Sequence, residues 1–504
     1  PEYTQSLSSI LPLTTKDESD ISKLGFKLMN VGPGGGGTQA WNRGSASFNF
    51  DYTDLQWYHT LTNPQQGEHW EKPYRNYAGQ SLLRFKLGRD TYWKTFLSYS
   101  KTRFTHYEET PFSGMLRQLA YDEDNAYTAS TFKTRLAGGF NLFAGIAWSL
   151  NNSKMDESVV ANDRLRLEER ELHLKAKAGK RFSSRYKLEL GAESYLRRYG
   201  MQYRDSFTFD ASIKHRINGL FLSHDFNLSQ RLFLNLSSRL EYTSSNRSYA
   251  VLPRLALSYE WKRLTVSGVI GKYQQMTDNE YLIHNPFLPA EQNVQYLLGG
   301  YFTDKNRIYR VEVYHKTYDK LPTIRNGQYA SAGSGYSRGI DVFLDRMFLK
   351  HWEYMIAYSY NDSQREYLDY PERAAPAFAT RHNASLSLKY TNMQWRSIVG
   401  ISNRFASGRP YHNPNKAGFM NDHTPVYHTL DISWTLLAHK KLIVYACFSN
   451  ILNRQNVFGY AFSSLPDKHG RYEGLPLRQE QNQAFYIGCF LTLGKHVAYE
   501  ASNF

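Results

Sequence analysis

The feature that most constrains this chain is alternation with a period of two residues. In 231–242, Leu232, Leu234, Leu236, Leu240 and Tyr242 alternate with Phe233, Asn235, Ser237, Arg239 and Glu241. In 186–197, Tyr186, Leu188, Leu190, Ala192 and Leu196 alternate with Lys187, Glu189, Glu193 and Arg197. The stretch 352–360 sets Trp352, Tyr354, Ile356, Tyr358 and Tyr360 against Glu353, Met355, Ala357 and Ser359. Successive side chains of a strand point to opposite faces, so each run has one apolar and one mostly polar face. The runs are about ten residues long, against roughly five or six for an ordinary globular strand. A tilted strand of about 9–11 residues spans a bilayer, with one face toward lipid and the other toward a polar lumen.

The connections alternate as well. Tight turns are expected at 51–54, 87–90, 138–141, 182–185, 228–231, 260–263, 303–306, 348–351, 391–394 and 438–441. Between them, long loops rich in Gly, Asn, Pro and charge are expected at 62–78, 105–130, 151–163, 275–290, 319–333, 363–375, 407–425 and 451–483. Ten hairpins, one strand near 24–31 and one near 484–493 predict 22 strands. Backbone polar groups in lipid must all be paired, so the sheet must close, with the terminal strands adjacent. The expected fold is an all-β transmembrane antiparallel barrel of about 22 strands, with short periplasmic turns and long extracellular loops. A soluble propeller shares the spacing of about 40 residues, but its blades carry four short strands where each interval here holds two long ones.

Composition excludes the other classes. Hydrophobic residues make up 41% of the 504 positions, mean hydropathy is −0.59, and no apolar run reaches the roughly 18–20 residues of a membrane helix. The 39 Tyr, 29 Phe and 9 Trp are too many for a disordered chain. Two Cys leave no disulfide framework and no CxxC or Cys/His zinc cluster. No metal or cofactor is expected. The net charge of +15 is dispersed through strands rather than gathered in a patch, which disfavours nucleic acid.

Several segments resemble TonB-dependent outer-membrane receptors, especially those of the Bacteroidetes type. Asn285-Pro286-Phe287-Leu288-Pro289-Ala290-Glu291, followed by Gly299 and Tyr301, is similar to the family's NPxLxPE…ExGxxY signature, although Leu297 or Leu298 stands where an acid is usual. Tyr318-Asp319-Lys320-Leu321-Pro322 with Ser337-Arg338-Gly339-Ile340-Asp341, Pro253-Arg254-Leu255, Ser407-Gly408-Arg409-Pro410-Tyr411 and Ser449-Asn450-Ile451-Leu452-Asn453 resemble further family segments in the same order. The resemblance covers the barrel portion. It implies that 1–20 connects to a plug domain, that 21–494 is the barrel and that 495–504 is a tail. It also implies a Gram-negative outer-membrane location, TonB as energy source acting through a plug, and capture of a bulky, scarce small-molecule ligand. A ferric siderophore is favoured as the commonest cargo; haem, a corrinoid, a peptide or an oligosaccharide would use similar residue types. A passive channel and a scaffold barrel are the rival functions. A surface lipoprotein is a further expected partner.

Ligand capture is expected in the loops, at Trp70, Tyr74, Arg75, Tyr107, Phe112, Met115, Tyr281, His284, Arg325, Tyr329, Arg409, Tyr411, His412 and Tyr472, because ligand pockets join aromatic faces to a few placed polar groups. The competing reading is that such aromatics pack their own loops. His284 and His412 suggest haem ligation, but the FRAP box of haem receptors is absent. Luminal cations are expected at Arg84, Lys86, Lys175, Lys177, Lys187, Arg239, Arg310 and Lys316. They fit partners on plug acids, anionic cargo, or, at the outer rim, lipopolysaccharide phosphates. No nucleophile with a base and orienter is present, and Asp422-His423 reads as a solvated loop pair, so no catalysis is expected. Cys447 shares a strand with lipid-facing Leu442, Val444, Ala446 and Phe448 but opposite parity, while Cys489 aligns with Ile487 and Leu491, so the thiols should lie on opposite faces and remain free.

Overall fold

A computed structural model describes residues 2, 5–7, 14–19, 21–62, 69–109, 112, 116–158, 162–205, 207–479 and 481–494. The first strands are β1 (Lys23–Met29), β2 (Gly32–Trp41), β3 (Gly44–Asp54), β4 (His69–Gly88), β5 (Thr91–Glu109), β6 (Leu116–Arg135) and β7 (Phe140–Ser158). There follow β8 (Asn162–Ser183), β9 (Tyr186–Arg204), β10 (Thr208–Asn227), β11 (Leu232–Thr243), β12 (Ser248–Trp261) and β13 (Leu264–Gln275). Next come β14 (Glu291–Asp304), β15 (Arg307–Arg325), β16 (Gln328–Phe348), β17 (Trp352–Glu366), β18 (His382–Asn392) and β19 (Ser397–Ala406). The remainder are β20 (Pro410–Tyr411), β21 (Asp422–His423), β22 (Tyr427–His439), β23 (Leu442–Ser449), β24 (Val457–Phe462), β25 (Gly474–Arg478) and β26 (Ala484–Gly494). Among the described residues, the α-helices α1 (Leu55–Thr62) and α2 (Asn279–Leu282) lie in connections.

Twenty-two strands form one antiparallel sheet, while β20 with β21 and β24 with β25 are separate loop hairpins. The sheet closes where β1 pairs with β26, Phe26 opposite Leu491. Closure leaves no free edge, as a bilayer requires. The parity read from sequence holds in the register. Leu220, Leu240 and Val251 lie opposite one another on β10, β11 and β12 and are all exposed, which identifies the lipid face. Rings mark its lower border near the tight turns: Phe85 stacks on Trp93, Phe302 on Tyr309, and Tyr186 on Phe182 and Phe226. Such aromatic girdles sit at the headgroup level.

Two expectations are corrected. Residues 51–54 are not a turn but the end of β3, where Asp51 pairs with Lys27 and Asp54 with Arg75; the hairpin turn lies at 42–43, between β2 and β3. The strands are also longer than ten residues. β4 to β10 reach 19 to 22 residues, so much of 62–78, 105–130 and 151–163 is paired strand rather than loop. Backbone pairing continues above the membrane, where the apolar alternation has stopped because neither face meets lipid.

The described N-terminal residues line the lumen wall. Lys94 Nζ donates to the Thr15 carbonyl at 2.8 Å and pairs with Asp17 at 2.6 Å. Lys86 and Tyr92 both bond Glu18, and Arg84 bonds the Lys16 carbonyl. Glu2 bridges Lys175 and Lys177. Gln5 donates to Glu241 and accepts from the Met276 backbone N–H. Four of the expected luminal cations are thus engaged by the chain's own N-terminal segment. Of the others, Lys187 pairs with Glu189 and Asp225, Arg239 with Glu193 and Glu241, and Arg310 with Glu312. Lys316 lies over the Tyr314 ring.

Candidate functional site

The loop end of the barrel gathers ring-rich groups. The first lies on the inner face of β4 to β6. Trp70 contacts Phe104 and His106 with centroids at 5.9 and 4.6 Å, and Tyr74 and Tyr121 stack on Phe104 from 6.4 and 5.2 Å. Arg75 is on the outward parity of β4, where Asp54 holds it at 2.9 Å. Tyr107, on the outward parity of β5, donates to Glu71 and accepts from Gln118. Phe112 is exposed, and Met115 lies outside the described residues.

The second group is built by 276–290, the segment containing the Asn-Pro motif. Leu282, Leu288, Ala290 and Met276 bury themselves against Ile217 of the wall, so the loop folds inward over the lumen. That burial places His284 between Phe209 and Tyr329, with centroids at 5.3 and 4.7 Å, and Tyr281 beside Tyr329 at 6.4 Å. Asn285 Nδ2 donates to the Tyr329 carbonyl at 2.9 Å, fixing the stack. Beneath the loop is a cavity of about 260 Å³ lined in part by Asp278, Tyr281, Glu291, Tyr318, Arg365 and Tyr367. Arg365 lies over the Tyr318 ring at 4.5 Å and the Phe378 ring at 5.4 Å. Burial raises both carboxyls. Asp278 is pushed up by desolvation and by Glu280. Glu291 is at the loop end of β14, above the lipid-facing Tyr296, Leu298 and Phe302, and desolvation with the Asp278 charge pushes it up to about 7. Arg325 stands apart, donating to the Leu368 and Tyr370 carbonyls.

The third group is the loop 407–425. Arg409 lies over the Phe458 ring at 5.5 Å. Tyr411 packs on Tyr460 at 4.7 Å and donates to Asp422 at 2.9 Å; burial and then that carboxylate push its phenol up to about 12. Lys416 and Asn413 hold Asp422 well below the usual carboxylate range. His412 contacts Phe419, which also meets Tyr370. Tyr472 exchanges backbone hydrogen bonds with the Asn415 side chain.

Sequence reasoning named Trp70, Tyr74, Tyr281, His284 and Tyr329 but not the partners that organise them: Phe104, His106, Tyr121, Phe209, Tyr318, Arg365 and Tyr367. Alternation in 116–125, where Tyr121 shares parity with the luminal Asn125, was the available signal. Among the described residues, no group of three or more His, Cys, Asp or Glu is placed to hold a metal ion. No helix among them is long and apolar enough to cross a membrane, and the crossing is made by strands.

A closed 22-stranded barrel, lipid-facing outside and with the 276–290 loop folded inward at its loop end, defines a large outer-membrane barrel whose mouth is partly covered. The profile of the family described as TonB dependent receptor-like, beta-barrel, matches residues 17–446, and the chain belongs to that family. It is a Gram-negative outer-membrane protein, and the family is one of receptors and transporters rather than enzymes. Solved structures with this fold include the copper transporter OprC, at TM-score 0.74 and 11% identity over 96% of this chain and 82% of that one. The siderophore receptor PiuA from Acinetobacter baumannii gives 0.74 and 9% over 95% and 82%. The ferripyoverdine receptor of Pseudomonas aeruginosa gives 0.74 and 11% over 95% and 72%. No curated protein matches the sequence.

Proposed function

We propose that the chain imports a ferric siderophore across the outer membrane, with TonB supplying the energy. The observation that carries this reading is the pairing of rings with cations at the mouth, above all the Phe209, His284 and Tyr329 stack beside Arg365 over Tyr318. An anionic, partly aromatic chelate is bound by stacking together with charge-assisted hydrogen bonds. Two of the structural relatives, PiuA and the ferripyoverdine receptor, are siderophore receptors by name, which supports the same cargo class. Trp70, Tyr74 and the exposed His284 are the proposed first contacts, with Tyr281 and Tyr329 next as the ligand descends. Arg409, Tyr411 and His412 would shape the rim through the loop they stabilise, and Tyr107, Phe112, Arg75 and Arg325 complete it.

The test is uptake of radiolabelled ferric chelates by cells producing the full-length receptor, with TonB present or deleted. Uptake that requires both the receptor and TonB supports the reading. Tight binding of a corrinoid or peptide with indifference to ferric chelates overturns the cargo and leaves the transporter standing.

A further inference from the structure

The short-turn rim of the barrel carries a feature that ligand import does not use. Nine of the ten short turns hold Lys or Arg, so positive charge runs around the rim. Carboxylates answer part of it: Asp90 follows Arg89, and Asp304 holds Arg263 at 2.8 Å. Three consecutive turns differ. Those at 349–351, 393–396 and 440–441 are neighbours because β17 pairs with β18 and β19 pairs directly with β22. They hold Lys350, Arg396, Lys440 and Lys441, all exposed; among the described residues, none of the four has a carboxylate partner. Glu353, close by in sequence, is taken by Lys389.

Apolar side chains stand among these cations. Leu349, Met393 and Trp395 belong to the same turns and are 76%, 58% and 69% exposed. Leu349, Lys350 and Arg396 have φ of +52°, +58° and +49°, left-handed backbone that glycine or asparagine ordinarily fills. An exposed leucine and two cations are thus held there against local preference, and turn chemistry does not account for them. Just above, on the lipid-side parity, Phe348, Trp352 and Tyr390 lie opposite one another across β16 to β18, with ring centroids 6.4 and 4.8 Å apart. Trp434 continues the row on β22 and donates to Ser397 at 3.2 Å. Beyond the rings the face continues through Leu388, Ile401 and Ile432.

We infer that this arc of the rim binds an inner-leaflet phospholipid that bears two phosphates, of the cardiolipin type. Short turns face the periplasm in barrels of this kind, so phosphate at their level belongs to the inner leaflet. Adjacent short turns are two strand spacings apart, about 10 Å. Two phosphates joined by one glycerol therefore meet cations of neighbouring turns together, and a single phosphate does not. Arg396 binds by its planar fork and the lysines as point charges, while the rings above sit at the headgroup border. A soluble acidic partner, such as a cell-wall peptide, would meet the cations but leave Leu349, Met393 and Trp395 in water.

The experiment uses the purified full-length receptor in detergent, with cardiolipin, phosphatidylglycerol and phosphatidylethanolamine as probes, read by native mass spectrometry. Cardiolipin should bind most tightly. The quadruple variant Lys350→Gln, Arg396→Gln, Lys440→Gln, Lys441→Gln should weaken that binding by about tenfold or more, the loss of one charge-assisted contact at the least. Lys350→Arg with Lys440→Arg and Lys441→Arg should retain it, and Arg89→Gln with Arg185→Gln, on turns elsewhere around the rim, should leave it unchanged. Trp395→Ser, which keeps every charge, should also weaken it. Retained heat-modifiable gel mobility shows that each variant folds. Equal affinity for phosphatidylglycerol, no loss in the quadruple variant, or displacement of cardiolipin by soluble peptidoglycan fragments would overturn the assignment.

Discussion

Arg239 reaches Glu193 across a strand to which neither belongs: the guanidinium of β11 passes over Gly219 of β10 and meets the carboxylate of β9 at 2.8 Å, with both side chains fully buried. A Cβ at Gly219 would lie 2.0 Å from Arg239 Nη2, so only glycine permits the crossing. Glu241 holds the same guanidinium at 2.9 Å and accepts from Gln5 and Gln274.

Removing one member of a buried, paired set leaves an uncompensated charge. Arg239→Ala should therefore lower stability by about 3–5 kcal/mol, and Gly219→Val should act in the same direction by displacing the guanidinium. Loss of heat-modifiable gel mobility at a lower temperature than wild type reads both. An unshifted Gly219→Val would show that the crossing is dispensable.

Glu291 makes the mouth pH-dependent. Its folded value of about 7 lies above the ordinary 4.5, so the folded loop binds this proton more tightly than the unfolded chain. The penalty for ionising it is absent below about pH 4.5 and grows as pH rises to about 7, on the order of 3 kcal/mol in all. Amide exchange in 276–290 should accelerate between pH 5 and 8, and Glu291→Gln should abolish that change beyond the intrinsic pH effect on exchange.

Cys447 sits opposite Tyr486 and Cys489 opposite Val444. The register therefore puts the thiols on opposite faces of adjacent strands, and both are free. Without reductant, two alkylations per chain should appear by mass after denaturation. A chain that takes up none until reduced would mean that the register is wrong.

The seat of the N-terminal segment is testable at Lys94, which is buried and pairs with Asp17. Lys94→Ala should expose 14–19 to protease in the folded receptor while the barrel keeps its gel mobility. Unchanged protection would place the segment's anchorage elsewhere.

The barrel was legible because lipid imposes a pattern: where one face is apolar solvent, alternation such as Leu232 to Tyr242 reports both strand and orientation, and short turns report the hairpins. β2 carries no apolar alternation to read, since Gly34, Gly35, Gly36 and Gly37 have no side chains to alternate. The fold explains them: a Cβ at Gly34 would meet Lys27 and Asp51 at 2.5 and 2.6 Å, and one at Gly36 would meet Asn49 at 2.0 Å. Neighbouring side chains cross β2 just as Arg239 crosses β10.

The sequence by itself determined strand parity, closure, the lipid face and the separation of the cysteines, all consequences of period two and of backbone pairing. The inward fold of 276–290, the His284 stack and the raised Glu291 carboxyl were decided only in three dimensions. Each depends on residues far apart in the chain meeting across several strands, and that juxtaposition follows from register and loop burial, which a local pattern does not encode.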